Sequence, residues 1–206
     1  MTESEFNLHN PQPLLIVISG PSGVGKDSVL QALKARGLPF HFVVTTTTRP
    51  PRPEEVHGRD YFFISKEEFA RMIENDEFFE YAIVYKDYKG NSRKQVHDAL
   101  ASGQDVVMRL DVQGAATVRK LAPEAVLVFL TTRTEQELVE RLKNRKTDKP
   151  EDLSLRIATA QQELKRAGEF DFVIVNADGC LDETVNTVIA IIRAEHHRVH
   201  PRKVSL

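Results

Sequence analysis

Apolar residues along this chain come in short unbroken runs separated by stretches of helical spacing, and the first run, LLIVI at 14–18, sets the type. A continuous branched run without polar alternation predicts a strand buried on both faces. Runs at 105–110, 125–130 and 172–175 repeat it. Between them the spacing predicts helices over 26–36, 66–75, 92–102, 114–121, 136–145, 153–166 and 182–196. The first of these carries Val29, Leu30 and Leu33 on one face and stops at Gly37. Buried strands alternating with amphipathic helices call for an α/β fold. Its parallel sheet is covered on both faces by right-handed crossovers, and ligands sit at the carboxyl ends of the strands.

Two stretches break this rhythm. Residues 45–90 are rich in Thr, Pro, Arg and aromatics and read as an inserted α+β lobe. Residues 141–156, RLKNRKTDKPEDLSLR, carry almost no apolar side chains between two helices and read as a mobile flap. A length of 206 residues fits one domain. The apolar runs are too short to cross a bilayer, and the polar start lacks the basic-then-apolar order of a secretion signal. The one cysteine, Cys180, excludes an internal disulfide framework, so a reducing cytoplasm is the expected location. With a net charge of −2, the surface as a whole is not a trap for polyanions. Neither nucleic acid nor membrane is an expected partner. The cationic, histidine-bearing segment 193–203 reads as a solvated, partly disordered terminus.

The segment GPSGVGKDS at 20–28 joins the first strand to the first helix. Its Gly-x4-Gly-Lys spacing arises by chance in roughly one of 15 to 20 chains of this length. The strand before it and the helix after it give it weight, because the mechanism needs both. Backbone N–H groups of Gly20, Pro21, Ser22, Gly23, Val24 and Gly25, proline excepted, and of the helix start wrap a nucleotide phosphate, and Lys26 reaches the β and γ oxygens. Asp27 stands where such loops usually place a Mg²⁺-binding hydroxyl. A carboxylate is a harder ligand than a hydroxyl, so Mg²⁺ remains the expected cofactor, with Ser28 as a second oxygen donor. Its cost is repulsion from the phosphates, about 3 kcal/mol at about 5 Å and an effective dielectric of about 20, which a bound cation reverses. An acid in the first helical turn is also favoured by the helix dipole, and the two roles are compatible.

In TTTTRPPRPEEVHGRDY at 45–61, two prolines stiffen the spacing of Arg49 and Arg52, so two guanidinium forks and the Tyr61 phenol can converge on one phosphate. With this segment the chain resembles the guanylate kinase family, P-loop enzymes that move the γ-phosphoryl of ATP onto GMP. The resemblance runs over about 14–192 and rests on GPSGVGK, TTRPPRPEEVHGRDYFF, EFFEYA, YKGNS, DVQGA, RLKNRKTD, LRI and VIVNAD in order. It implies a P-loop NTPase three-layer α/β fold with a parallel central sheet, an inserted α+β GMP-binding lobe and a short lid. One domain over 14–206 then divides into a core (14–44, 91–135, 157–196), the lobe (45–90) and the lid (136–156), with tails at 1–13 and 197–206. By the same resemblance Arg49, Arg52 and Tyr61 grip the GMP phosphate, and Glu80 reads the guanine edge near Thr45 and Asn91. Asp111 supports Mg²⁺ or its waters, with a strand-end helix cap as the competing role. Arg141, Arg145 and Arg156 close over ATP, and Asn176 lies near adenine.

Four departures from the family pattern stand out. Asp27 is one. Lys89 replaces a second phosphate-binding tyrosine, although Tyr88 is adjacent. Arg109 occupies a position often acidic, two before Asp111, and Lys146 replaces a common glycine. The expected activity is ATP:GMP phosphoryl transfer between small-molecule nucleotides, with oligomeric state left open. A kinase of another phosphorylated acceptor, such as a ribose bisphosphate, and a non-catalytic binding module are the alternatives.

Overall fold

The computed structural model describes residues 11–84, 87–144 and 150–206. Strand β1 (Leu15–Ser19) leads into α1 (Lys26–Ala35), and β2 (Phe40–Phe42) ends the first unit. A second layer follows: β3 (Thr46–Thr47), β4 (Phe62–Phe63), α2 (Lys66–Glu74), β5 (Phe78–Val84) and β6 (Asp87–Ser92). The chain then returns through α3 (Arg93–Ala101), β7 (Asp105–Arg109), α4 (Val112–Leu121), β8 (Val126–Thr131), α5 (Glu135–Lys143), α6 (Pro150–Leu164), β9 (Phe172–Val175) and α7 (Leu181–His196).

The core sheet runs β2-β7-β1-β8-β9, with every pair parallel. Alternation along β1 divides the interior. Ile16 and Ile18 face one apolar cluster with Val29, Leu33, Val185 and Val188, whereas Leu15 and Val17 face another with Val96, Ala115 and Val118. Helices therefore cover both faces of β1, β7 and β8, which explains their unbroken apolar runs. Strand β9 departs from the expected two-sided burial, because as an edge strand it leaves Val173 and Val175 about half exposed. The lobe is a four-stranded sheet, β4-β3-β6-β5, with an antiparallel β5–β6 hairpin at one edge. Strand β2 and the bounds of this hairpin were not read from the sequence.

Ser65, Ser92, Asp111 and Thr134 each accept a hydrogen bond from a first-turn N–H and so fix where α2, α3, α4 and α5 begin. Helix α6 begins at Pro150, three residues ahead of the expected 153. Leu138 and Leu142 of α5 are buried in the core. Arg145 and Lys146 lie outside the described residues.

The C-terminal segment differs from the solvated terminus expected. Arg202 donates to Glu195 at 2.8 Å with 13% and 5% of the two side chains exposed, Val204 packs on the second cluster, and His196 Nε2 meets Asp105 at 2.7 Å. A buried glutamate requires a cation, and the tail supplies it.

Candidate active site

The carboxyl ends of β1 and β7 open into a cavity of about 620 Å³ lined by residues of both the phosphate loop and the lobe. Gly25 caps α1 in the left-handed region (φ 93°) without a side-chain bond, which leaves first-turn N–H groups available to an anion. Asn176 braces this turn. Its Nδ2 donates to Val24 O at 2.7 Å, its Oδ1 accepts from Thr184 at 3.0 Å, and a Cβ on Gly25 would lie 2.6 Å from it. Val24 is fully buried, and Gly23 lies against Leu138 and Leu142, so the loop is clamped from below. Lys26 folds back to donate to Gly20 O and to Pro21 O. Burial pulls its ammonium pKa down to about 8. The Ser22 N–H donates to Glu163, a carboxylate on α6 whose pKa burial raises. Lys26 and the Ser22 N–H, both expected to bind phosphate, thus have internal partners.

On the lobe, Arg49 makes a two-pronged pair with Glu55 at 2.5 and 2.7 Å, and Arg52 lies 3.7 Å from the same carboxylate. Tyr61 is 7% exposed, and the Arg49 guanidinium lies 4.7 Å from its ring centre. The three expected phosphate contacts are therefore side by side. Lys89 also faces the cavity, and burial lowers its pKa. Its neighbour Tyr88 points the other way and packs on Phe69 at 5.2 Å, as strand alternation requires. The adjacent tyrosine thus does not stand in for the missing one.

At the far wall, Glu80 is 4% exposed. Asn91 Nδ2 donates to its Oε1 at 2.7 Å, and Thr45 donates to Asn91 Oδ1 at 3.0 Å. Glu80 Oε2 is buried with no hydrogen-bond partner among the described residues. Desolvation raises the Glu80 pKa to about 7, outweighing the Asn91 bond that favours the charged form. A buried carboxylate with one open oxygen fits a ligand edge that carries paired N–H donors. Gly114 explains its placement: a Cβ there would stand 2.7 Å from Glu80 Oε2. Asp111 lines the cavity and caps α4 by accepting from Gly114 N at 2.8 Å, so the cap expected as a competing role is present.

Arg141 reaches the cavity from α5, held by Asp178 at 2.6 Å, Glu137 at 2.5 Å and Asn176 O at 2.8 Å. Arg156 is half-buried on α6 and is not among the cavity-lining residues. Asp27 and Ser28 line the cavity, and Asp27 is paired with Arg109. Sequence reasoning missed Glu55 and Glu163 as internal partners of Arg49 and of the Ser22 N–H. The acidic turn after Arg52 was a signal for the first, whereas Glu163 arrives only through tertiary packing.

Oxygen donors from Asp27, Ser28 and Asp111 suit a hard cation. No group of three or more metal-binding side chains forms among the described residues.

The family model described as guanylate kinase matches residues 12–195. A relative from Oryza sativa, guanylate kinase 2, chloroplastic/mitochondrial, is 50% identical over 197 residues, covering 95% of this chain and 69% of that protein. The guanylate kinase of Carboxydothermus hydrogenoformans is 40% identical over 192 residues, 93% of this chain and 92% of its own. Among solved structures, guanylate kinase from Anaplasma phagocytophilum superposes with a TM-score of 0.76 at 27% identity over 93% of this chain and 90% of that one. A match of this extent, with the phosphate loop and the arginine lobe on one cavity, means that the chain belongs to the guanylate kinase family.

Proposed function

We propose that this chain transfers the γ-phosphoryl of ATP to GMP with Mg²⁺, giving ADP and GDP. The observation that carries the reading is the single cavity that joins the phosphate loop at one end to the Glu80–Asn91–Thr45 chain at the other. In this reading the loop N–H groups and Lys26 hold the donor phosphates. Arg49, Arg52, Tyr61 and Lys89 hold the acceptor phosphate. Ionised Glu80 accepts from guanine N1–H and N2–H₂, whereas adenine offers no such donor pair.

A GMP phosphate oxygen attacks the γ-phosphorus, the bond to the β–γ bridging oxygen breaks, and ADP leaves. No protein nucleophile is required, because alignment and charge stabilisation supply the catalysis. Arg141, Arg145 and Arg156 neutralise charge on the transferring oxygens as the 136–156 lid closes, and lobe 45–90 folds in to exclude water. Asp27 and Ser28 would hold Mg²⁺, with Asp111 supporting its waters; the ion when bound offsets charge on the β and γ oxygens. Nucleotides are the partners assigned. No described helix is long and apolar enough to cross a membrane, and a reducing, cytoplasm-like compartment is part of the proposal.

The test is a coupled ADP assay with ATP and Mg²⁺ across GMP, AMP and sugar phosphates. Turnover confined to GMP is expected. Preference for a sugar phosphate would indicate a different acceptor kinase, and no turnover with any acceptor would indicate a binding module.

A further inference from the structure

Arg109 ends β7 in register with Ile18, one residue before β1 gives way to the phosphate loop. Its guanidinium donates to Asp27 in the first turn of α1, with 15% of the Arg109 side chain exposed. On its other side the same guanidinium lies 4.5 Å from the centre of the Tyr61 ring, the ring that Arg49 also contacts. One side chain of the core sheet therefore touches the donor loop and the acceptor lobe together. Arginine carries five N–H donors, and Asp27 is the one hydrogen-bond acceptor Arg109 has among the described residues. Arg109 is itself one of the residues that line the cavity.

The surroundings are crowded with like charge. Arg49 and Arg109 share one ring, and Lys89 lies close enough that both push its pKa down after burial has done so. Cations gathered this way need anions. Within the chain Asp27 and Glu55 serve; a bound nucleotide brings phosphates to the same place. Asp27 beside phosphates has the opposite problem, repulsion, which an adjoining guanidinium offsets.

We propose that Arg109 is a phosphate-binding residue of the acceptor site, aimed by its bond to Asp27, so that the two departures form one paired exchange of charge. This rests on the reading of the cavity as a joint ATP and GMP site. Arg109 then contacts the acceptor phosphate from the side facing the donor, opposite in origin to the lobe residues Arg49 and Arg52. A planar fork suits that position better than a lysine does, because it binds Asp27 and a phosphate oxygen at once.

The experiment measures GMP and guanosine affinity calorimetrically on the full chain, with chelator and without ATP. The proteins compared are wild type, Arg109→Gln, Asp27→Ser and the double variant. Arg109→Gln is expected to lose about 10- to 100-fold in GMP affinity, the range for a charge-assisted contact, while guanosine binding holds. The double variant is expected to stay as weak for GMP as Arg109→Gln. Recovery of GMP affinity in the double variant would show that Arg109 only balances Asp27, and an equal loss for guanosine would show a structural role; either result overturns the proposal. If Arg109→Gln does not fold, Arg109→Lys and the double variant carry the same comparison, with partial GMP loss expected for lysine and wild-type affinity overturning. Wild-type turnover is assayed in parallel, so a failed kinase reading is seen separately from a failed Arg109 contact.

Discussion

Glu80 holds its proton up to about pH 7, because burial outweighs the hydrogen bond from Asn91. Only the ionised form offers two acceptor oxygens to guanine. Since a raised carboxyl pKa means that charge appears above it, kcat/KM for GMP is expected to rise with pH through about 7, as the free enzyme titrates. GMP adds its own phosphate ionisation near pH ~6. Glu80→Gln separates the two: it should keep the phosphate step and lose the later one, with GMP binding weakened by about 2 to 3 kcal/mol. A pH profile in Glu80→Gln identical to wild type would remove Glu80 from recognition. Lys26 sets the opposite limit. Burial brings its pKa to about 8, and its charge disappears above that value, so kcat/KM for ATP should fall as pH passes about 8. Lys26→Ala is expected to lower turnover by about 100-fold or more, with the alkaline fall gone. Retention of most of the wild-type rate would refute the loop assignment.

At the scale of elements, α4 shows how a helix start serves a neighbouring sheet. Asp111 caps it, Gly114 follows, and the missing side chain at 114 leaves room for Glu80 on β5. Gly114→Ala should gain about 1 kcal/mol of helix propensity yet displace Glu80 through overpacking. The expected result is a GMP KM raised on the order of tenfold, since small misplacements of a recognising group are costly, with ATP KM unchanged. Steady-state kinetics with each substrate varied in turn checks it; an unaltered GMP KM would show that the contact is relaxed without consequence. The same scale explains what the sequence disclosed. Strands β1, β7 and β8 are legible because burial on both faces demands unbroken apolar runs, whereas β9 reads as a strand from its branched apolar run although it lies at the sheet edge with Val173 and Val175 about half exposed. Strand β6 is not, because Asp87, Lys89 and Asn91 look like loop residues until the β5 hairpin pairs them. Within the site, Lys26, Arg49 and Glu80 were legible from local motifs. The pairs Arg109–Asp27, Arg49–Glu55 and Glu163–Ser22 N–H were not: they join segments brought together by the fold or depend on which rotamer an arginine selects.

Across the whole molecule the two ends of the core sheet do different work. The carboxyl ends face the cavity, and the amino ends are fastened by side chains. Asp105 accepts from Leu14 N at 2.9 Å and meets His196, while Asp171 accepts from Leu127 N and from Arg119, each at 2.8 Å. Arg202 closes this set by binding Glu195 and standing 3.9 Å from Asp171. Removing it leaves the Glu195 carboxylate, 5% exposed, with the longer and half-exposed Arg198 contact at 3.6 Å in place of its nearest cation. Arg202→Ala should therefore cost about 2 to 3 kcal/mol, somewhat under the toll for a fully buried pair, and lower Tm by about 4 to 12 °C for a chain of this size. Because the amino ends lie a strand length from the cavity, KM for both nucleotides should stay at wild-type values below the transition. Arg202→Ala combined with Glu195→Gln should recover part of the loss, as the stranded charge is gone. Thermal denaturation of the two variants decides the matter: an unchanged Tm in Arg202→Ala would mean that Arg198, 3.6 Å from Glu195, or water satisfies the carboxylate and that Arg202 does not fasten the sheet.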